Sequence, residues 1–241
     1  MTESTVPTVV LVHGAFADST SWSGVIADLQ ERGIPVVAPA NPLRGLAGDA
    51  AYIASVAAQI DGPVVLVGHS YGGGVITVAG AADNVAGLVY IAAYVLEEGE
   101  SLGELQGRFP ASPLGDNLVA ASYPVEGGEP GTEFTIAPAK FPEIFAADVP
   151  AATTEVLAVA QRALSAKAFA ETASVAAWKT KPSWALVAGA DLAINPDVER
   201  FGAERAGAKV VEADGASHAV AVSRPKDVAA LIAEAVAAVA A

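Results

Sequence analysis

A serine sits at the centre of Gly68-His69-Ser70-Tyr71-Gly72, a G-x-S-x-G pattern. A hydroxyl becomes a useful nucleophile only beside a general base and a site that accepts negative charge. Residues 64–67 read as an apolar strand entering this pattern, and residues 71–82 as a Gly/Val-rich helix leaving it at once. Such a strand-to-helix turn forces an unfavourable backbone at Ser70, and the small residues at 68, 72 and 73 relieve the crowding. It also sets the hydroxyl beside a helix N-terminus, where free N–H groups favour developing negative charge. A second match, Gly99-Glu100-Ser101-Leu102-Gly103, is set aside. Ser101 lies too far past the preceding strand run, among Glu97, Glu98 and Glu100, and reads as a loop residue or helix cap.

The base expected for Ser70 is His218, in the loop after the last strand run and just before the closing helix. His69 is turned elsewhere by the local geometry and is expected to pack. His13, at the end of the first strand, is expected to make structural hydrogen bonds. A carboxylate should hold the imidazole in one tautomer. Asp191 follows the strand at residues 183–188 and completes the chain order Ser, Asp, His. Glu97 and Glu98 offer an alternative place for the acid, Asp197 reads as a helix cap and Asp214 as a turn residue. Two backbone N–H groups should hold an oxyanion. Tyr71 supplies one, and the loop His13-Gly14-Ala15-Phe16 the other, from Ala15 in preference to Phe16.

The remaining residue types narrow the chemistry by exclusion. The 241-residue chain has no cysteine, hence no disulfide framework, thiolate metal site or thiol nucleophile, and its three histidines are too few for the usual zinc sites. No metal and no cofactor are expected. The net charge of −14 opposes binding to nucleic acid or anionic membrane. Residues 1–7 carry Glu3 and no basic residue, unlike a secretory leader. Residues 85–96 are too short an apolar run to span a bilayer, and Glu234 interrupts the alanine-rich end. These features lead to the expectation of a cytoplasmic protein that does not engage membranes.

The elements that must position these groups follow from periodicity. Short apolar runs at 8–12, 35–39, 64–67, 85–92, 183–188 and 209–212 alternate with helical stretches. Trp22, Val25, Ile26 and Leu29 form one helical stripe stopped near Gly33. Leu46, Ile53 and Ile60 mark a second helix, and residues 225–240 a closing one. Strands apolar on both faces and separated by helices specify an α/β fold with a mostly parallel sheet of about six strands. The core is expected from residues 1–96 and 182–241. Residues 97–181 break the rhythm, hold seven of the 15 prolines and end in Ala-rich helices, and read as a cap inserted over the sheet. Among its aromatics and those of the first loop, Phe16, Phe109, Phe141 and Trp178 are expected to contact substrate; Phe134 and Phe145 mark the insertion as packed.

Together, the Ser70 turn, Asp191, His218 and Val12-His13-Gly14-Ala15-Phe16 with Ser21-Trp22 resemble the α/β-hydrolase superfamily over essentially the whole chain. The start is similar to the plant methyl-ester esterase and hydroxynitrile lyase group. Gly99-Glu100-Ser101-Leu102 and Trp178-Lys179-Thr180 are similar to bacterial α/β-fold hydrolases. The resemblance implies a helical cap and no cofactor. The lyase branch carries Thr at the position of Gly14 and Lys at that of Ala219, so cyanide release is not expected here. The expected activity is hydrolysis of small hydrophobic carboxylic esters. The same triad would also serve a lactone, a thioester or a carbon–carbon bond, and a hydrolase scaffold can serve as a small-molecule receptor.

Overall fold

The computed structural model describes residues 6–240, so residues 1–5, which carry most of the stretch read above as lacking a leader, lie outside the described residues. The chain begins β1 (Thr8–Val12), α1 (Ser23–Glu31), β2 (Val36–Val37), α2 (Leu46–Ala58), β3 (Val64–His69), α3 (Tyr71–Ala79) and β4 (Val85–Ile91). An excursion follows: α4 (Leu102–Gln106), β5 (Leu118–Tyr123), β6 (Gly131–Ile136), α5 (Phe141–Phe145), α6 (Ala151–Val159), β7 (Leu164–Ser165) and α7 (Ala166–Ala170). The chain then returns through β8 (Ser183–Ala188), α8 (Pro196–Arg205), β9 (Lys209–Ala213), α9 (Val220–Ser223) and α10 (Pro225–Val239).

Six strands form one parallel sheet in the order β2-β1-β3-β4-β8-β9. Its inner strands β1, β3, β4 and β8 are almost continuously apolar because both faces are covered, whereas the edge strand β9 is mostly exposed. Side chains alternate between two cores: Val64 and Leu66 of β3 join one, Val65 and Val67 the other. The second core is closed by Trp22, Val25 and Leu29 beside α1 and by Val228, Leu231, Ile232, Ala235 and Val236 of α10, spacings that put each set on one helical face. Gly33, at φ +72°, ends α1 in the left-handed region that glycine tolerates.

The order reverses at β1, which pairs with β2 on one side and β3 on the other. Val12 lies opposite Gly68, so the loop leaving β1 and the turn leaving β3 meet at one end of the sheet. Parallel sheets bind ligands at such a reversal. β8 and β9 end together as well, with Ala188 opposite Ala213, and deliver the segments that carry Asp191 and His218.

Several sequence expectations are corrected. The run at 35–39 forms only Val36–Val37, because Pro35 and Pro39 lack the N–H a longer ladder needs. The excursion contains a separate antiparallel sheet, β5-β6-β7, where its first half was read as having no regular rhythm. Most of β5 is exposed, so its sequence lacks the apolar run that marks a buried strand. Asp197 does not cap α8; Asn195 does, accepting the Asp197 N–H at 3.0 Å. Among the described residues no helix is long and apolar enough to cross a membrane.

Ile232 is fully buried between α10 and the sheet. Ile232→Ala is expected to cost about 2–5 kcal/mol of unfolding free energy, read from the midpoint of a urea titration.

Candidate active site

Ser70 joins β3 to α3 with φ +55° and ψ −123°, a left-handed backbone rare outside glycine. Its neighbours allow this. A Cβ on Gly68 would lie 2.4 Å from the Gly72 carbonyl oxygen, and one on Gly72 would lie 2.4 Å from that of Val12. β1, β3 and α3 therefore approach backbone to backbone. The turn is held by Gly73 N–H donating to the Ser70 carbonyl at 2.9 Å and Ser70 N–H donating to Ile91 O at 3.2 Å.

His218 and Asp191 come from different loops and meet in the interior. His218 Nδ1–H donates to Asp191 Oδ2 at 2.5 Å, and both side chains are almost wholly buried. The other carboxylate oxygen, Oδ1, accepts Ala193 N–H at 2.7 Å and Ile194 N–H at 2.9 Å. The acid is thus fixed by its own loop before it orients the imidazole. The His218 segment is pinned to the excursion as well. Ala219 N–H donates to Phe145 O at 2.8 Å, Ser217 Oγ donates to Asp148, and the Phe145 ring meets the His218 ring edge-on at 4.8 Å. Ser70 and His218 open onto one cavity, together with Ala15, Phe16 and Tyr71.

The other two histidines have structural partners. His69 Nε2–H donates to the His218 carbonyl at 2.9 Å. Burial, and then the neighbouring His218, hold its pKa well below the ordinary value, so it is neutral. His13 donates from Nδ1 to Gly14 O at 2.9 Å and accepts Asn41 N–H at Nε2, also at 2.9 Å. Burial lowers its pKa too. Ser101 is a helix cap in a reciprocal capping box with Glu104. Glu97, the alternative acid, pairs with Lys179 at 2.5 Å.

The aromatic expectations fare unevenly. Phe16 lines the Ser70 cavity. Phe109 lies outside it, 5.6 Å from the Phe201 ring. Phe141 is buried against Phe145 at 4.8 Å and lines a separate cavity behind Phe16. Trp178 is a structural anchor whose Nε1–H donates to Leu96 O at 2.8 Å. Long side chains in an insertion can fill core as readily as a pocket, and composition does not distinguish the two. The cavity is lined instead by Tyr94, Leu102, Leu114, Leu164, Phe169 and Ile194, ordinary apolar residues with no motif to mark them.

Two further groups carried no sequence signal. The Tyr71 side chain is one: its hydroxyl donates to buried Asp49 at 2.7 Å, tying α3 to α2. Glu199 of α8 is buried near Asp191. Its Oε2 accepts Ala188 N–H at 2.9 Å. Burial first, and then the Asp191 charge, push its carboxyl well above the ordinary range, against the smaller opposing effects of the Ala188 N–H and of Arg200. Among the described residues no group of three or more His, Asp or Glu side chains is placed to hold a metal.

Comparison with known proteins agrees with this architecture. Residues 9–231 match the model of the Alpha/beta hydrolase family, and the chain belongs to that family. It is 38% identical over 109 residues to a carbendazim hydrolyzing esterase of Nocardioides sp. (strain SG-4G), covering 39% of this chain and 44% of that protein. It is 35% identical over 117 residues to lipase LipV of Mycobacterium tuberculosis (strain ATCC 25618 / H37Rv), covering 44% of each. The matches thus span under half the length of these curated relatives. Polyneuridine aldehyde esterase superposes with a TM-score of 0.81 at 21% identity, covering 95% of this chain and 99% of that one, a likeness of fold.

The raised carboxyl of Glu199 has a signed consequence. The folded protein keeps this proton at pH values where the unfolded chain, near the ordinary glutamate pKa of about 4.3, has lost it. Its contribution to stability therefore falls as pH rises through that window. Glu199→Gln cannot ionise. Its melting temperature relative to the parent is expected to rise with pH above about 4.3 and to level off below it. A pH series of thermal melts checks this, and a constant difference would contradict it.

Proposed function

We propose that this member of the alpha/beta hydrolase family is a serine hydrolase that cleaves small hydrophobic carboxylic esters through an acyl-enzyme. One observation carries the reading. A buried imidazole oriented by a carboxylate at 2.5 Å opens onto the same cavity as a serine held at φ +55°. The esterase and lipase named among the relatives support the bond class, and the apolar lining supports neutral, hydrophobic substrates.

In the proposed mechanism the Ser70 hydroxyl attacks the ester carbonyl as His218 Nε2 takes its proton. Asp191 stabilises the resulting imidazolium through Nδ1–H. The oxyanion is held by the backbone N–H groups of Tyr71 and Ala15. Tyr71 is the first residue of α3, so its N–H has no acceptor within the helix. Phe16 N–H already donates to Arg162 O at 3.0 Å, which favours Ala15 as the donor from that loop. The tetrahedral species collapses as His218 returns the proton to the leaving alcohol. Water then attacks the acyl-serine with His218 again as base, and the acid is released as Ser70 recovers its proton. Residues 97–181 act as the cap, supplying Leu102, Leu114, Leu164 and Phe169 as walls. No metal or cofactor enters these steps.

Ser70→Ala is expected to lower kcat for p-nitrophenyl acetate by about 10⁶ and to abolish labelling by a fluorophosphonate. Asp191→Asn should retain the fold and lose about 10⁴ in kcat, because the amide stabilises the wrong imidazole tautomer. Near-parental turnover in Ser70→Ala would overturn the assignment.

A further inference from the structure

The cavity at Ser70 is nearly full. The space left in it is only about 10 Å³, room for roughly one water molecule. An ester carries two arms on its carboxyl group, and at least one must extend elsewhere. On the outer side of the excursion lies an open groove of about 520 Å³, lined by Phe109, Ala111, Gly115, Leu118, Phe134 and also Phe169. Its wall is mainly apolar, and its three aromatic rings are only half-buried.

Two independent features join groove and cavity. Phe169 of α7 lines both, so the two spaces approach each other at this residue. Tyr94, which lines the inner cavity, donates its hydroxyl to Gln106, which lines the groove. Tyr94 N–H in turn donates to the Ser70 carbonyl at 3.3 Å. One hydrogen-bonded path therefore runs from the groove to the backbone of the proposed nucleophile.

We propose that this groove is the outer subsite of the same active site and takes a long aliphatic or aromatic arm of the ester, reached past Phe169. The proposal rests on Ser70 being the nucleophile. It assigns the substrate class as esters with one extended apolar arm. The energetic basis is burial: each methylene moved from water onto these side chains contributes about 0.8 kcal/mol. Phe109, absent from the inner cavity, acquires a substrate contact here.

The test is chain-length preference. An added Cβ at Gly115 meets nothing within 4 Å and Ala111 is exposed, so a glutamate at either site is compatible with the fold. Two substrate series distinguish the arms: p-nitrophenyl acetate against decanoate varies the acyl side, and methyl against benzyl acetate varies the alcohol side. Gly115→Glu and Ala111→Glu are expected to lower the large-over-small ratio of kcat/KM about tenfold in one series. Phe169→Ala, which removes the ring where the two spaces approach, should raise that ratio. Val159→Glu, on an exposed face of α6 away from the groove, serves as the control and should not move it. A ratio unmoved in both series by the groove variants, or moved equally by Val159→Glu, overturns the proposal. Fluorophosphonate labelling of the same preparations reads the serine separately. Labelled protein with an unmoved ratio rejects the groove alone, and unlabelled, inactive parental protein rejects both readings.

Discussion

At Ser70 the chain must leave a buried strand and enter a helix within one residue, with the backbones of β1 and α3 in contact around it. A non-glycine residue at φ +55° costs on the order of 1–3 kcal/mol and persists only where the surroundings over-determine it. Here they do. The Ser70 carbonyl accepts from Gly73 and Tyr94, and its N–H donates to Ile91 on the next strand. Relaxing the turn would break these bonds or separate strands whose faces are both buried. The Cβ that carries the hydroxyl is thus placed by main-chain packing.

Around that turn the polar groups are arranged to keep buried charge to a minimum. Burial lowers the pKa of His13 and His69, each of which has backbone partners, and pushes the Glu199 carboxyl well above the ordinary range beside Asp191. Asp191, beside His218, accepts from two backbone N–H groups and the imidazole. In a low-dielectric interior an uncompensated charge is costly, and a hydrogen-bonded one acts strongly on its neighbours. His69 links this network back to the turn, since it precedes Ser70 in sequence and its ring holds the carbonyl of His218.

The excursion is tied to the elements that carry the polar pair. Phe145 and Asp148 grip the His218 loop, Arg162 engages Phe16, and Glu171 accepts Ala47 N–H at the start of α2. Its position relative to the sheet is therefore coupled to the geometry of the polar pair. Its small antiparallel sheet, half exposed, shapes the outer groove.

The local patterns of the chain determined much by themselves. Apolar runs on β1, β3, β4 and β8, the helical stripes on α1 and α10, and the glycines flanking Ser70 each reflect a constraint acting within a few residues: pleat, helix period or steric room. They sufficed for the parallel sheet and for the strained turn, while chain order only nominated Asp191 and His218, which the structure brings into hydrogen-bonding contact. Only the tertiary structure decided what those residues touch. Phe109, Phe141 and Trp178 look alike as letters, yet one faces a groove, one packs on Phe145 and one anchors a loop, because the choice depends on elements far away in the chain. Leu102, Leu114 and Leu164 became cavity walls for the same reason. The raised carboxyl of Glu199 likewise depends on Asp191 and on the burial of its face of α8, and neither is encoded in its immediate neighbours.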